Sequence, residues 1–316
     1  MRALITGCNG FVGRLLVAHL RAGGAEICGI DRTAQDPDAT GAGVTLVPGD
    51  ILDASFVGKV LLQARPSHVF HMAAVMGTSG TDRAGLLDVN AQGTAVVADA
   101  VRRHAPGAWL LLASSSAVYG AQDALPIGED APSRPTTPYG ESKAAAEDAA
   151  RRVAADGDIR LVIARTFNLL GPGMSRHLFA GSLAAQIVAA EHGGPSRIRV
   201  GHLQGKRDYV DVRDAVRACV SLTACDSGTF NVCSEVARSS QELADRMCAH
   251  ATVPVTLEHD AARLQTGDVD EQRGSFRRLA AATGWAPAIS FDQSVRDVLE
   301  HERRVATTAQ AGRGNA

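Results

Sequence analysis

The chain has 316 residues, of which 45% are hydrophobic and 21% charged, with a formal net charge of −2. That length suits one large α/β domain, or a large domain with a smaller companion, and supports a sizeable core. A near-neutral chain without a basic block excludes nucleic acid or an anionic membrane as partners drawn by a global positive field. No apolar run approaches the ~20 residues of a membrane span, and the chain opens on strand-like Arg2-Ala3-Leu4-Ile5 rather than on a signal peptide, so a cytoplasmic location is expected. Cysteines stand at 8, 28, 219, 225, 233 and 248 with no Cys-x-x-Cys among them. They are expected to be reduced, mostly buried thiols, with no metal site.

Strand-like runs and helical periodicities alternate through the first half. Residues 3–6, 26–30, 44–47, 68–72, 108–113 and 161–164 read as strands, and 11–21, 55–64, 86–104 and 139–155 as helices. Such alternation predicts a Rossmann-type doubly wound parallel sheet in an α/β domain over 1–167, with ligands at the carboxyl ends of the strands. After Phe167 the texture changes. A loop at 168–173, a helix at 178–190, a break at 193–196, helices at 212–223 and 240–249 and a strand at 229–232 predict a smaller C-terminal α/β substrate lobe over 168–304. Residues 305–316 are small and polar and are expected to be a flexible tail.

Taken in chain order, the first chemistry-bearing segment is Thr6-Gly7-Cys8-Asn9-Gly10-Phe11-Val12-Gly13, between the first strand and first helix. Glycines at 7, 10 and 13 allow a tight turn, close backbone approach to a pyrophosphate and close helix–strand packing, with the helix N-terminus meeting the negative charge. Asp31 ends the second strand, where a carboxylate accepts hydrogen bonds from the adenosine ribose and repels a 2′-phosphate. This favours NAD over NADP, although the adjacent Arg32 is a group able to pair with such a phosphate. Asp50 and Ile51 follow the third strand, placed to face an adenine. Met72, Ala73 and Ala74 end the fourth with small residues that let a cofactor lie against the backbone, and His71 reads as a hydrogen-bonded structural histidine.

Ser114-Ser115-Ser116-Ala117-Val118-Tyr119-Gly120 follows the fifth strand and aims hydroxyls at the expected site. Tyr139-Gly140-Glu141-Ser142-Lys143 opens the next helix. The chain holds three Tyr, and its only Lys are 59, 143 and 206, so a Tyr and a Lys four apart on one helical face are informative. A phenol is a weak acid. A neighbouring ammonium and an oxidised nicotinamide both favour its phenolate, the form able to act as a base.

With these residues in view, the chain resembles the extended short-chain dehydrogenase/reductase family that modifies nucleotide-sugars. The likeness rests on TGCNGFVG, HMAA, Val89-Asn90-Ala91-Gln92-Gly93-Thr94, SSSAVYG, PYGESK and Arg207-Asp208-Tyr209-Val210-Asp211-Val212. It implies Tyr139 as base, Lys143 as its partner and ribose ligand, and Ser115 as second catalytic hydroxyl. It implies that Asn9, Phe11, Val12, Asn90 and Phe167 line the cofactor, that Met76, Ser115 and Ser116 meet the sugar, and that Asn168 and Arg207 bind the diphosphate or nucleotide. It further implies a homodimer through the helices at 86–104 and 139–155.

Within the family the second half is similar to GDP-4-keto-6-deoxy-mannose reductases, in FNLLGPG, VGHLQGKRDYVDVRD, FNVCSE, the run at 260–264 and ATGWAP. Ala117-Val118 is instead similar to the UDP-glucose 4-epimerase group, and Gln265-Thr266-Gly267-Asp268 stands where the reductases carry Arg-Pro. The acidic pair of the 4,6-dehydratases is absent. A C4 epimerase is therefore the leading expectation, a 4-ketoreductase the alternative, and a non-catalytic NAD-binding relative the least expected, because Tyr139 and Lys143 are both present.

Overall fold

The computed structural model describes residues 1–33, 43–76, 82–157, 159–201, 203–260 and 270–314. The reductase-like motifs reaching into 261–269 therefore lie largely outside the described residues. Seven parallel strands form the main sheet: β1 (Arg2–Thr6), β2 (Glu26–Asp31), β3 (Val44–Pro48), β4 (His68–His71), β5 (Trp109–Ser115), β6 (Arg160–Thr166) and β10 (Gly228–Val232). Their order is β10-β6-β5-β4-β1-β2-β3. The run Trp109-Leu110-Leu111-Leu112 is buried on both faces, as a continuous apolar strand must be when helices cover both sides of a sheet. One core gathers Leu16 and Leu20 of α1 (Phe11–Ala22) with Phe70 and Trp109. The other gathers Val57 and Leu61 of α2 (Ala54–Ala64) with Val97, Val101, Leu110 and Leu112. The strand order reverses between β1 and β4, which opens a crevice at their carboxyl ends.

The periodicity at 86–104 resolves into α3 (Arg83–Leu87), a π-helical turn over Asp88–Gln92 and α4 (Gly93–His104). The wider turn carries Asn90 inward to 1% exposure. The helix expected at 139–155 is α5 (Pro138–Ala155).

The smaller lobe is built from β7 (Asn168–Leu170), α6 (Phe179–Glu191), β8 (Arg197–Val200), β9 (Lys206–Asp211), β11 (Ala237–Ser239), α8 (Ser240–Ala249), β12 (Thr256–His259), β13 (Glu271–Gln272) and α10 (Phe291–Gly314). Its core joins Leu183 and Ile187 of α6 to Leu243, Met247, Val295 and Leu299. Two expectations are corrected here. The strand expected at 229–232 does not belong to this lobe. As β10 it pairs with β6 in the main sheet, and α7 (Val212–Ser221) buries Ala215, Val216 and Cys219 in the α1-side core, with α9 (Arg277–Thr283) adding Leu279. The chain thus crosses to the small lobe three times, returning with α7 and β10 and again with α9. Nor is the segment from 305 an irregular tail, because α10 runs through it to Gly314. Ala306 packs on the small-lobe core, the Thr307 and Thr308 hydroxyls bond the Arg303 and Arg304 carbonyls, and Arg303 pairs with Glu191 at 2.6 Å. No described helix is long and apolar enough to cross a membrane.

Candidate active site

The glycine loop closes the end of β1 against the end of β4. Gly7 adopts φ +68°, and a Cβ there would lie 2.7 Å from the Ala73 nitrogen. A Cβ on Gly13 would fall 2.0 Å from the Gly7 carbonyl, so the start of α1 is pressed onto the loop. Gly10 caps α1 without a side-chain bond, leaving the helix N-terminus open to an anion. Asp31 accepts a hydrogen bond from the Asn9 amide at 3.0 Å, and the Asn9 side chain donates to the Thr33 carbonyl at 2.8 Å. These contacts hold the carboxylate at the mouth of the crevice, with Arg32 exposed beside it. A glycine cradle that a Cβ would fill, an uncapped helix and a carboxylate at the end of β2 fit a nicotinamide dinucleotide.

Other expected cofactor residues divide. Ile51 is buried under Gly93, where a Cβ would meet its Cδ1 at 2.6 Å, while Asp50 is exposed and accepts from the Leu52 amide. Met72 and Ala73 follow β4 as half-buried residues, and Ala74 is exposed. Phe11 packs on the small-lobe core, joining the lobes, and Val12 packs on the α1-side core. Phe167 is 3% exposed, buried with Tyr119 and Cys233, so its side chain is not presented to a cofactor. Asn90 is likewise turned from that role. Its amide accepts from Val75 N at 2.8 Å and donates to the Val75 carbonyl at 3.0 Å and to the Ser142 hydroxyl at 2.9 Å. It fastens the loop after β4 to α5.

His71 belongs to the same buried network, as its sequence context suggests. Thr94 donates to the Asn90 carbonyl at 2.6 Å, which leaves its oxygen to accept from His71 Nε2 at 3.0 Å; Thr6 then donates to Nδ1 at 2.7 Å. Burial, reinforced by the nearby Lys143 charge, pushes the His71 pKa down to about 3, so the ring is neutral.

Pro138 and the Thr137 cap, which accepts from the Gly140 amide at 3.1 Å, start α5. A Cβ on Gly140 would lie 2.5 Å from the Ala117 carbonyl, so glycine lets the first turn of α5 touch the serine loop. Tyr139 and Lys143 are thereby set against the end of β5. Burial raises the Tyr139 pKa, and a side-chain hydrogen bond with Ser115 opposes that rise. Lys143 is 4% exposed and donates to the Ala113 carbonyl at 2.5 Å. Burial lowers its pKa to about 8, against the pull of Glu147. Ser115 also accepts from the Ala117 amide at 3.1 Å, fixing its rotamer.

Ser116 departs from expectation. It is 3% exposed, donates to Gln272 Oε1 at 3.0 Å and accepts at its carbonyl from Gln272 Nε2 at 3.0 Å, so its hydroxyl is unavailable to a sugar. The partner lies 156 residues away, which is why no local pattern reveals it. Met76 is 42% exposed after β4.

The substrate-lobe residues lie together. Parallel register sets Asn168 of β7 beside Tyr209 of β9, and alternation along β9 puts Tyr209 and Arg207 on one face. Arg238 of β11 stands directly opposite Arg207. Arg238 is itself paired with Glu242. Asp208 accepts from the Ser234, Glu235 and Gly274 amides, and Asp211 from Arg213 and Ser294. Tyr209, Arg238 and Phe291 line a cavity of about 250 Å³, with Arg238 stacked 4.6 Å from the Phe291 ring. Residue type alone had not marked Tyr209 or Arg238, since each acquires its neighbours through strand pairing.

The comparisons with known proteins give the family. The model of the NAD dependent epimerase/dehydratase family matches residues 3–233. The chain belongs to that family. It is 32% identical to a GDP-6-deoxy-D-mannose reductase of Pseudomonas aeruginosa, over 96% of this chain and 98% of the relative. It is 30% identical to a UDP-glucose 4-epimerase of Mycolicibacterium smegmatis, over 96% and 99%. The solved structure of RMD from Pseudomonas aeruginosa complexed with NADPH superposes with a TM-score of 0.83 at 30% identity, covering 96% of this chain and all of that one.

Proposed function

We propose that the protein is an NAD-dependent nucleotide-sugar C4 epimerase. The observation that carries the reading is the Ser115–Tyr139–Lys143 cluster at the carboxyl end of β5, beside the glycine cradle and facing the lobe that bears Arg207. Bound NAD supplies the hydride chemistry at C4. Ser115 hydrogen-bonds the C4 oxygen and holds it within reach of Tyr139. Tyr139, as phenolate, removes the C4 hydroxyl proton as the 4-keto sugar forms and returns it when the ketone is reduced on its other face. The Lys143 ammonium, in a site of low dielectric, lowers the cost of the phenolate. Asp31 supports NAD over a 2′-phosphorylated cofactor by charge repulsion. Asn168 and Arg207 hold the diphosphate, and the cavity beside Tyr209 and Arg238 is of a size and character to take the base.

A 4-ketoreductase uses the same residues in one direction only, and the 32% identity to a reductase over nearly its whole length favours that second reading. Cofactor retention separates the two. An epimerase is expected to leave gel filtration with NAD bound and to interconvert UDP-glucose and its C4 epimer with no added reductant. A protein that emerges free of dinucleotide and consumes NADH or NADPH in step with a 4-keto sugar is the reductase.

We further propose a homodimer through α4 and α5. Their outward positions include the half-buried Ala95 and Ala145, side chains small enough for close helix packing. Light scattering at micromolar concentration is expected to give twice the chain mass, and a monomer there overturns the interface.

A further inference from the structure

Along α5, Tyr139, Lys143, Glu147 and Arg151 follow one another at single-turn spacing, and the first three each meet the end of β5. Tyr139 meets the Ser115 hydroxyl, Lys143 the Ala113 carbonyl and Glu147 the Ser114 hydroxyl, the last at 2.5 Å. Glu147 has no part in the reaction described above, yet it is 2% exposed and fully engaged. Its Oε1 also accepts from Arg165 Nε at 2.9 Å, and its Oε2 accepts from Arg165 Nη2 at 2.7 Å and from Arg151 at 2.8 Å. Arg165 comes from β6, is 5% exposed, donates to the Glu129 carbonyl and lies 4.7 Å over the Tyr119 ring.

A buried ion pair contributes little net stability, because desolvation offsets its attraction, and an apolar pair of similar volume serves a core equally well. Here the carboxylate lies one helical turn from a buried ammonium that has few other charges to balance it. From β4, His71 faces Lys143 as a neutral ring; from the π-helical turn and α4 come the uncharged Asn90 and Thr94; β5 offers hydroxyls and a carbonyl. On α5 itself Tyr139 and Glu147 are the acidic groups on this face, while Glu141 pairs with Arg83 and Asp148 with Arg151 at the surface; Arg165 lies behind Glu147, Glu129 beyond it, and Arg151 is 43% exposed.

We infer that Glu147 is a positioning residue of the Tyr139/Lys143 pair: clamped by Arg165 and Ser114, it fixes the catalytic face of α5 against β5 and β6 and supplies the negative charge that balances the Lys143 ammonium. The inference rests on Tyr139 and Lys143 being the catalytic pair. The direction of its effect follows from the charges. Glu147 opposes the burial that depresses Lys143. Removing its charge makes Lys143 release its proton at lower pH, and Tyr139, deprived of that ammonium, keeps its proton to higher pH.

The test is the pH profile of kcat/KM for Glu147→Gln and for Arg151→Gln, in the cofactor-loaded enzyme. Ultraviolet titration of the Tyr139 phenolate, taken as the difference from the same protein carrying Tyr139→Phe, is the companion measurement. In Glu147→Gln the alkaline limb should move to lower pH and the acid limb to higher pH, with activity near pH 8 falling about tenfold, equivalent to one pH unit. Phenolate absorbance should appear at higher pH than in the parent. Arg151→Gln strips a surface cation from Glu147, folds irrespective of the core, and should move the alkaline limb upward. A lower rate with both limbs unmoved would make Glu147 a packing residue only and end the proposal, as would an unmoved limb in Arg151→Gln should Glu147→Gln not fold. An active Tyr139→Phe would instead overturn the underlying catalytic reading, so the two failures are distinct.

Discussion

Replacement of Tyr139 by Phe is expected to lower kcat by ~10²–10⁴ while leaving the fold and NAD binding in place. The substitution removes one oxygen from a half-buried ring whose backbone stays capped by Thr137. Removing the hydroxyl relieves burial of a polar group and leaves Ser115 with its bond from the Ala117 amide, so the stability cost is small. Lys143 keeps its bond to the Ala113 carbonyl, so the role proposed for it toward the cofactor is untouched by the substitution. The lost rate therefore reports proton transfer at C4. Turnover of Tyr139→Phe within fivefold of the parent, with NAD binding equal in both, would remove Tyr139 as the base and leave Ser115 or a water molecule to move the proton.

The parts of the site that were legible in the sequence are those set by neighbours a few residues apart. Gly7, Gly10 and Gly13 announce a turn and a helix start because strand, turn and helix are contiguous. Tyr139 and Lys143 announce a shared face because helical geometry fixes it. The residues that sequence reading misplaced are set by contacts across the fold. Ser116 looks like a sugar ligand in its triplet, but Gln272 reaches it from β13. Phe167 looks like a cofactor neighbour because it follows β6, but the packing of Tyr119 and Cys233 encloses it. β10 looks like part of the second lobe because it follows the lobe's helices, yet its hydrogen-bond partners are in β6. Asn90 did leave a signal, a polar residue within an apolar helical run shortly before a glycine, but its inward turn depends on a π-helical widening that periodicity does not reveal. Glu147 could have been found by continuing the Tyr139–Lys143 spacing one turn further.

Replacement of Arg207 by Ala is expected to raise KM for the nucleotide-sugar tenfold or more. On β9 the guanidinium shares a face with Tyr209, stands opposite Arg238 and is in register with Gln272, so it sits where the substrate lobe meets the serine loop. A planar fork takes two phosphate oxygens at once, and Lys, a point charge, does not reproduce that geometry, so Arg207→Lys should recover only part of the loss. The competing role, a surface ion pair with Asp208 or Asp211, would be worth under ~1 kcal/mol. An ion pair of that kind alone would leave KM unchanged in Arg207→Ala. Binding of the diphosphate is common to ground and transition states, so kcat should fall less than kcat/KM. NAD affinity should not change, because the glycine cradle and Asp31 lie on the other lobe. Isothermal titration with UDP and GDP measures the diphosphate term apart from chemistry. Weaker binding of both in Arg207→Ala, by a similar factor, places the contact on the phosphates. Weakening confined to one base shifts the role of Arg207 to base recognition, and equal affinity for parent and variant moves the diphosphate away from β9 altogether.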